Sequence, residues 1–269
     1  MHPDIRTRNN VLVAGRGTRP MVFAHGFGCD QNMWRAVTPA FEDDYQVVTF
    51  DYVGSGRSDV AAYSADRYGS LNGYAQDLLD VCHALELRDV ILVGHSVSSM
   101  VGVLASIREP GLFSRLVMVA PSPRYINDEP DYVGGFERRD IEGLIEMMSQ
   151  NHHGWANFLA PVVMRNEDRP GLAEELEASF CAADPEITRR FAEVTFYSDN
   201  RADLPHVTVP SLLLQCSDDL VAPAEVGDFL HRSLAGSTLV HLKATGHCPH
   251  MSHPEETVAA IRAYLATVP

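Results

Sequence analysis

The sequence lacks long apolar runs, closely spaced cysteine pairs and an apolar leader. None of its apolar runs approaches the roughly 18 residues that a membrane-spanning helix needs. The first ten residues, MHPDIRTRNN, do not contain the apolar core of a secretory signal. The five cysteines are scattered and form no C-x-x-C pair, which disfavours a disulfide framework and a redox motif. We therefore predict a soluble, cytoplasmic protein whose thiols are reduced.

Basic residues are also fewer than acidic ones. The chain has 21 Lys and Arg against 36 Asp and Glu, a formal net charge of -15 at pH 7. Such a charge disfavours nucleic acid and anionic membranes as partners. The acidity forms no long block, which is typical of a solvated surface. With 269 residues, the chain is long enough to bury a core without a metal or disulfide to stabilise it.

Short apolar runs alternate with helical patterns along most of the chain, and this alternation predicts the fold class. Continuous apolar strands between helices are typical of a mainly parallel sheet with helices on both faces, an α/β fold. The predicted strands are Met21–Ala24, Gln46–Phe50, Val90–Val93, Leu116–Val119, Ser211–Gln215 and Ser237–Leu242. The predicted helices between and after them are Tyr74–Leu87, Val97–Ile107, Glu225–Leu234 and Glu255–Leu265.

The alternation stops between about Pro121 and Pro210, where several amphipathic helical windows and no convincing strand occur. A helical insertion in an α/β protein is best explained as a cap over the carboxyl ends of the strands, where ligands of open sheets bind. We therefore divide the chain into a core formed by residues 1–121 and 209–269 and a helical cap or lid formed by residues 122–208.

The segment GHSVSS, residues 94–99, directly follows the run V-I-L-V. It nearly matches the nucleophile elbow G-x-S-x-G, in which a strand turns sharply into a helix and exposes the middle serine. Ser96 lies at the apex of the predicted turn, and Ser98 occupies the position where a glycine is expected. A serine at a helix start is also a common N-cap, so the motif alone does not establish a nucleophile.

Two later segments supply an acid and a base in the order that α/β hydrolases use, which is serine, acid, histidine. The loop CSDDLVAP after a predicted strand offers Asp218 or Asp219, and composition does not separate the two. His247 follows the last predicted strand. In addition, the early loop HGFG could direct the Phe27 N–H, together with the Val97 N–H, at a developing oxyanion.

The chain resembles the α/β-hydrolase superfamily over nearly its whole length. Within it, the chain is most similar to the RsbQ-like group, which includes a bacterial stress-response regulator and the plant strigolactone and karrikin receptors. The motifs GHSVSSM, DYVGSGRSD and GHCPHMSHP carry this resemblance. It implies an α/β-hydrolase fold and a serine at position 98. It also implies Asp219 as the acid, because Asp219 and not Asp218 has the family's spacing to Pro223.

The resemblance further implies four cap helices over a hydrophobic cavity, and the aromatic residues of the cap agree with an apolar pocket. Trp155, Phe158, Leu159 and Val162 have the spacing of one apolar helix face. The residues that we predict to line the pocket are Phe27, Phe136, Trp155, Leu159 and Phe196.

The sequence implies no cofactor. The loop GSGRS after a strand is neither a dinucleotide-binding nor a Walker motif. His247, His250, His253 and Cys248 could suggest zinc, but no second cluster of ligands is evident in the sequence, and we predict no metal site.

The leading prediction is a cofactor-independent serine hydrolase that cleaves a small hydrophobic ester or lactone through an acyl-enzyme. Ser96, His247 and Asp219 would form its catalytic triad. A carbon–carbon bond hydrolase with the same triad is a further option. The alternative from another class is a sensor that binds or slowly hydrolyses a hydrophobic signal and then contacts a regulatory protein partner.

Overall fold

The computed structural model describes residues 4–267. In this part of the chain, seven strands form one sheet. They are Leu12–Ala14 (β1), Arg19–Ala24 (β2), Tyr45–Phe50 (β3), Val90–His95 (β4), Phe113–Val119 (β5), Ser211–Gln215 (β6) and Ser237–His241 (β7). The helices of the core are Ile5–Arg8 (α1), Leu71–Ala84 (α2), Val97–Arg108 (α3), Ala224–Ser233 (α8), Pro249–Ser252 (α9) and Pro254–Thr267 (α10).

The sheet has the order β1-β3-β2-β4-β5-β6-β7. All neighbouring strands are parallel except β1, which pairs antiparallel with β3. The predicted α/β class with a mostly parallel sheet is therefore confirmed, and each of the six predicted strands lies on an observed one. β1 was not predicted, since its three residues are all exposed and give no buried run to detect.

Both faces of the sheet are covered. Along β2, Met21 and Phe23 belong to one buried apolar cluster, whereas Val22 and Ala24 belong to another, as the two-residue period of a strand requires. The cluster with Val22 also contains residues of α2, α3 and α8. The cluster with Met21 also contains residues of α10 and of the cap. β4 lies in the middle and is buried along its whole length. Its carboxyl end is therefore held between packed layers.

The segment between β5 and β6 contains four α-helices, and we refer to it as the cap. Its helices are Arg138–Gln150 (α4), His152–Met164 (α5), Pro170–Ala182 (α6) and Pro185–Phe196 (α7). α5 packs against α4 and α6, and α4 packs against α7. No helix within residues 4–267 combines the length and apolarity needed to cross a membrane. The limits of the cap, which we placed at residues 122 and 208, stay a prediction.

Our prediction of the residues that form the apolar face of α5 was partly wrong. Trp155 and Leu159 are buried, but the side chain of Phe158 is 55% exposed and Val162 is only partly buried. The buried face instead continues through Val163 and the residues beside it. A four-residue step keeps the contact on one side of the helix, since each residue advances about 100°.

Candidate active site

Ser96 lies at the junction between β4 and α3 in a strained conformation. Its backbone has φ +55° and ψ −121°, which non-glycine residues rarely adopt and which is typical of functional turns. Its N–H donates to the Val119 carbonyl of β5 at 2.8 Å, which helps to hold the turn. A Cβ on Gly94 would lie 2.7 Å from the Ser98 carbonyl oxygen, so only glycine fits there.

The other two serines of the motif have structural partners. Ser98 Oγ donates to the His25 carbonyl and lies 2.9 Å from the Tyr52 hydroxyl. Ser99 Oγ donates to the Gly94 carbonyl at 3.2 Å. These bonds explain how a serine replaces the expected glycine at position 98. Ser96 is the member of the three that lines the cavity under the cap.

The three residues predicted to form a triad lie together. His247 Nε2 is 2.7 Å from Ser96 Oγ, and His247 Nδ1 is 2.7 Å from Asp219 Oδ2. The second carboxylate oxygen of Asp219 accepts the N–H groups of Val221 and Ala222 at 2.8 and 3.1 Å. Because the carboxylate can only accept, His247 carries its proton on Nδ1 and presents an unprotonated Nε2 to the serine hydroxyl.

Asp218 has a different environment. Its side chain is 50% exposed and pairs with Arg165 at 2.9 Å. Its backbone carbonyl accepts the Gly246 N–H at 2.8 Å, so its main chain joins the two loops while its carboxylate faces solvent. The geometry therefore distinguishes Asp219 from Asp218 as the carboxylate that contacts His247, a choice that composition alone did not make.

The loop that carries His247 is attached to the cap. The His247 N–H donates to the Val163 carbonyl at 2.8 Å, near the end of α5. Gly246 has φ +78°, and a Cβ there would lie 2.0 Å from the Met164 carbonyl oxygen. This close approach requires glycine. The position of the imidazole thus depends on α5, a contact that no sequence motif indicates.

The two N–H groups predicted to face an oxyanion come from separate segments, the start of α3 and the loop after β2. Val97 is the first residue of α3, so its N–H has no acceptor within the helix. Phe27 follows β2, and its N–H makes no hydrogen bond among those within residues 4–267. Gly26 precedes it, and a Cβ there would lie 2.3 Å from His95 Nδ1. The loop is therefore tightly fitted against the residue that precedes Ser96.

A small, mostly apolar cavity of about 50 Å³ lies between Ser96 and the cap. Four of the five predicted residues line it, namely Phe27, Phe136, Leu159 and Phe196. Trp155 was wrongly predicted to line it. Its indole is fully buried and packs behind the cavity against the rings of Phe27 and Phe180, at centroid distances of 6.0 and 5.0 Å.

Tyr125 is a site residue that the sequence analysis did not identify. It follows β5 at the entrance to the cap, and its hydroxyl lies 3.3 Å from Ser96 Oγ. Its side chain lines the cavity and packs edge-on against Phe196 at 5.2 Å. No motif pairs a tyrosine 29 residues away in the chain with the elbow serine, so only its aromatic character was visible beforehand.

The structure also assembles a cluster that the sequence did not reveal, because His95 joins Cys248 and His250. One potential ligand atom from each lies within 4.8 Å of the others. His95 Nε2 donates to the His247 carbonyl at 2.9 Å, and His95 Nδ1 faces Gly26. Burial lowers the pKa of His250 to about 3 and raises the pKa of the Cys248 thiol. An ion bound through His95 Nε2 would have to displace the hydrogen bond to the His247 carbonyl.

A family model and curated proteins match most of the chain. The family model described as "Alpha/beta hydrolase family" matches residues 21–261. Among curated proteins, the chain is 38% identical over 262 residues to Karrikin insensitive 2 receptor CA of Petunia hybrida, covering 97% of each chain. It is also 38% identical over 257 residues to Strigolactone esterase D14 of Arabidopsis thaliana, covering 95% of this chain and 96% of that protein.

A solved structure resembles the whole chain closely. The hydrolase from Oleispira antarctica is 43% identical and superimposes with a TM-score of 0.96, covering 98% of this chain and 97% of the other. Similarity at this level extends over the sheet, the elbow and the cap together.

Proposed function

The chain belongs to the alpha/beta hydrolase family, and from that premise we propose that it is a serine hydrolase that cleaves a small hydrophobic ester or lactone. The observation that carries the proposal is the chain of two 2.7 Å hydrogen bonds that links Asp219 to His247 and His247 to the strained Ser96. A buried serine hydroxyl with such a base is the arrangement that nucleophilic acyl transfer needs.

In the proposed acylation, Ser96 Oγ attacks the substrate carbonyl while His247 Nε2 takes the hydroxyl proton. Asp219 stabilises the resulting imidazolium and keeps its Nδ1–H directed at the carboxylate. The N–H groups of Phe27 and Val97 receive the oxyanion, and their rigid backbone positions need no rearrangement as charge develops. His247 then gives its proton to the leaving alcohol, and the acyl-enzyme remains.

Deacylation repeats these steps with water as the nucleophile. His247 removes a proton from water, the C–Oγ bond breaks, and the proton returns to Ser96. Every group that this cycle uses belongs to the chain, and we assign no cofactor or metal to it.

The cavity supports the proposed substrate class. Its lining is mostly aromatic and aliphatic, and its volume of about 50 Å³ is far below the roughly 300–1,000 Å³ of a drug-sized ligand pocket. A short apolar acyl group fits the space as it stands, whereas a larger molecule requires the cap to move. Relatives are named esterases, which agrees with an ester or lactone substrate.

A second function is supported by the attachment of the cap to the base. Other relatives carry the name Karrikin insensitive 2 receptor, and the His247 N–H is bonded to the end of cap helix α5. Such a connection lets events at the triad alter the cap. The alternative proposal is therefore a sensor that binds or slowly hydrolyses a hydrophobic signal and then contacts a regulatory protein through its cap.

The test of the hydrolase is a screen of short-chain esters and lactones with Ser96→Ala as control. We expect a serine-directed phosphonate to label Ser96 once per chain, and Ser96→Ala to lose activity by roughly a millionfold, as other triad knockouts do. Labelling that persists in Ser96→Ala would contradict the assignment.

Turnover and cap exchange separate the two functions. Turnover of about 1–1,000 per second, with no ligand-dependent change in hydrogen exchange of α4 to α7, would refute the sensor. Very slow turnover with a ligand-responsive cap would refute the metabolic enzyme, because a ligand shifts a conformation only by its differential affinity for the two states.

A further inference from the structure

The nucleophile has a second hydrogen-bond partner beside the imidazole. Tyr125 is 1% exposed, and its hydroxyl lies 3.3 Å from Ser96 Oγ. Its carbonyl accepts the Phe136 N–H at 3.1 Å, and its ring packs against Phe196. The phenol is therefore fixed by the backbone and by the cap, with its polar end directed at the reacting oxygen.

The direction of this hydrogen bond follows from proton counting. Ser96 has one hydroxyl proton, and it donates that proton to His247 Nε2 at 2.7 Å. The bond between Tyr125 and Ser96 must then be donated by the phenol. Burial raises the pKa of Tyr125 above its ordinary value, so the phenol keeps its proton throughout the working pH range.

We propose that Tyr125 is a further catalytic residue, which donates a hydrogen bond to Ser96 Oγ when that oxygen becomes the leaving group of deacylation. The inference rests on the proposed hydrolase function. When the tetrahedral adduct collapses, the C–Oγ bond breaks and its electron pair moves to Oγ. His247 returns its proton to that oxygen, while Tyr125 retains its own proton and stabilises the developing negative charge.

The same bond does not assist acylation. In that half-reaction Oγ is the attacking atom and gives electron density to the carbonyl carbon, so a donor on its lone pair opposes the attack. The contribution of Tyr125 is therefore expected in deacylation alone. A hydroxyl that only maintained the shape of the site would affect both half-reactions.

The experiment compares Tyr125→Phe with Tyr132→Phe. Tyr132 is also buried in the segment that enters the cap, and its hydroxyl donates to the Arg124 carbonyl at 2.7 Å, but it does not line the cavity. Both variants lose one buried phenol hydrogen bond and keep the ring. Burst kinetics on a chromogenic short-chain ester give the acylation and deacylation rate constants separately, and a thermal melt monitors folding.

We expect Tyr125→Phe to slow deacylation by about two- to tenfold, the range that a single neutral hydrogen bond supports. Acylation should be unchanged or slightly faster. On an ester that gives a burst, deacylation limits turnover, so its slowing lowers kcat while kcat/KM does not fall. Tyr132→Phe should leave both rate constants unchanged, whatever its melting temperature.

Two results would overturn the inference while leaving the hydrolase intact. One is a normal deacylation rate in Tyr125→Phe, and the other is an equal fall in both half-reactions. If neither the wild type nor Tyr125→Phe forms an acyl-enzyme, and Ser96→Ala behaves like both, the proposed function itself fails and the inference fails with it.

Discussion

Replacing Asp219 with asparagine tests the triad most sharply, because the structure fixes the orientation of the new side chain. One carboxylate oxygen accepts the N–H groups of Val221 and Ala222 at 2.8 and 3.1 Å, and the other accepts from His247 at 2.7 Å. In Asp219→Asn the amide oxygen must face the two backbone donors. The opposite flip would leave two buried N–H groups unpaired, at about 1–3 kcal/mol each.

The amide NH₂ therefore faces His247 Nδ1. Since an NH₂ group only donates, Nδ1 must become the acceptor and the ring proton moves to Nε2. Nε2 is then no longer able to accept the Ser96 proton. The same reversal of the tautomer in a known serine hydrolase with a Ser-His-Asp triad lowers kcat by about ten-thousandfold, and we expect a loss of that order here.

Asp218→Asn is the matched control. Its side chain is half-exposed and its ion pair with Arg165 belongs to a class worth about 0–1 kcal/mol, so activity should stay within about twofold. The assay is steady-state hydrolysis of the best ester, with circular dichroism to check that both variants fold. A loss below tenfold in Asp219→Asn, or a larger loss in Asp218→Asn, would refute the reasoning.

The remaining predictions concern the elbow, a buried histidine and the cavity. Ser98→Ala removes two buried hydrogen bonds and should lower the free energy of unfolding by about 1–3 kcal/mol in urea titration, while phosphonate labelling of Ser96 continues; loss of labelling would contradict this. Burial lowers the pKa of His25 from 6.5, so the unfolded state binds the proton first as pH falls below about 6.5. His25 should then contribute a decline in the free energy of unfolding of up to about 1.4 kcal/mol per pH unit, and an unchanged slope in His25→Gln would exclude this contribution. Leu159→Ala enlarges the cavity and should improve kcat/KM for longer acyl chains relative to acetyl, because each methylene that finds room is worth about 1–3 kcal/mol of discrimination. An unchanged dependence of kcat/KM on chain length would show that Leu159 does not contact the acyl group.

Features set by short-range pattern were predictable from the sequence. The predicted strands all lie on observed ones because a central parallel strand is apolar throughout, as in β4. The apex position of Ser96 followed from the turn between a strand and a helix. The choice of Asp219 over Asp218 required the family's spacing, and the hydrogen bond to His247 now gives it a geometric basis.

Features that depend on which side chains meet across the cap were not predictable. Helical spacing identified Trp155 as apolar, but the residue that lines the cavity is Phe180 of the neighbouring helix α6, which packs against the Trp155 indole. Spacing carries no information about such layers. The contact of Tyr125 with Ser96 and the approach of His95 to His250 join segments that are far apart in the chain. No local sequence pattern predicts such contacts, and the structure was needed to identify them.

The attachment of the cap to the catalytic loops limits how the cavity can open. The His247 N–H is bonded to the end of α5, and Ser179 of α6 donates to the Gly28 carbonyl in the loop that carries Phe27. Movement of α5 or α6 therefore disturbs the base or the proposed oxyanion site. Leu144 of α4 reaches the cavity through an apolar side chain alone, so its displacement breaks no hydrogen bond to the triad. We therefore expect a substrate larger than the present cavity to displace α4 rather than α5 or α6, because movement of α5 or α6 disturbs hydrogen bonds to the catalytic loops.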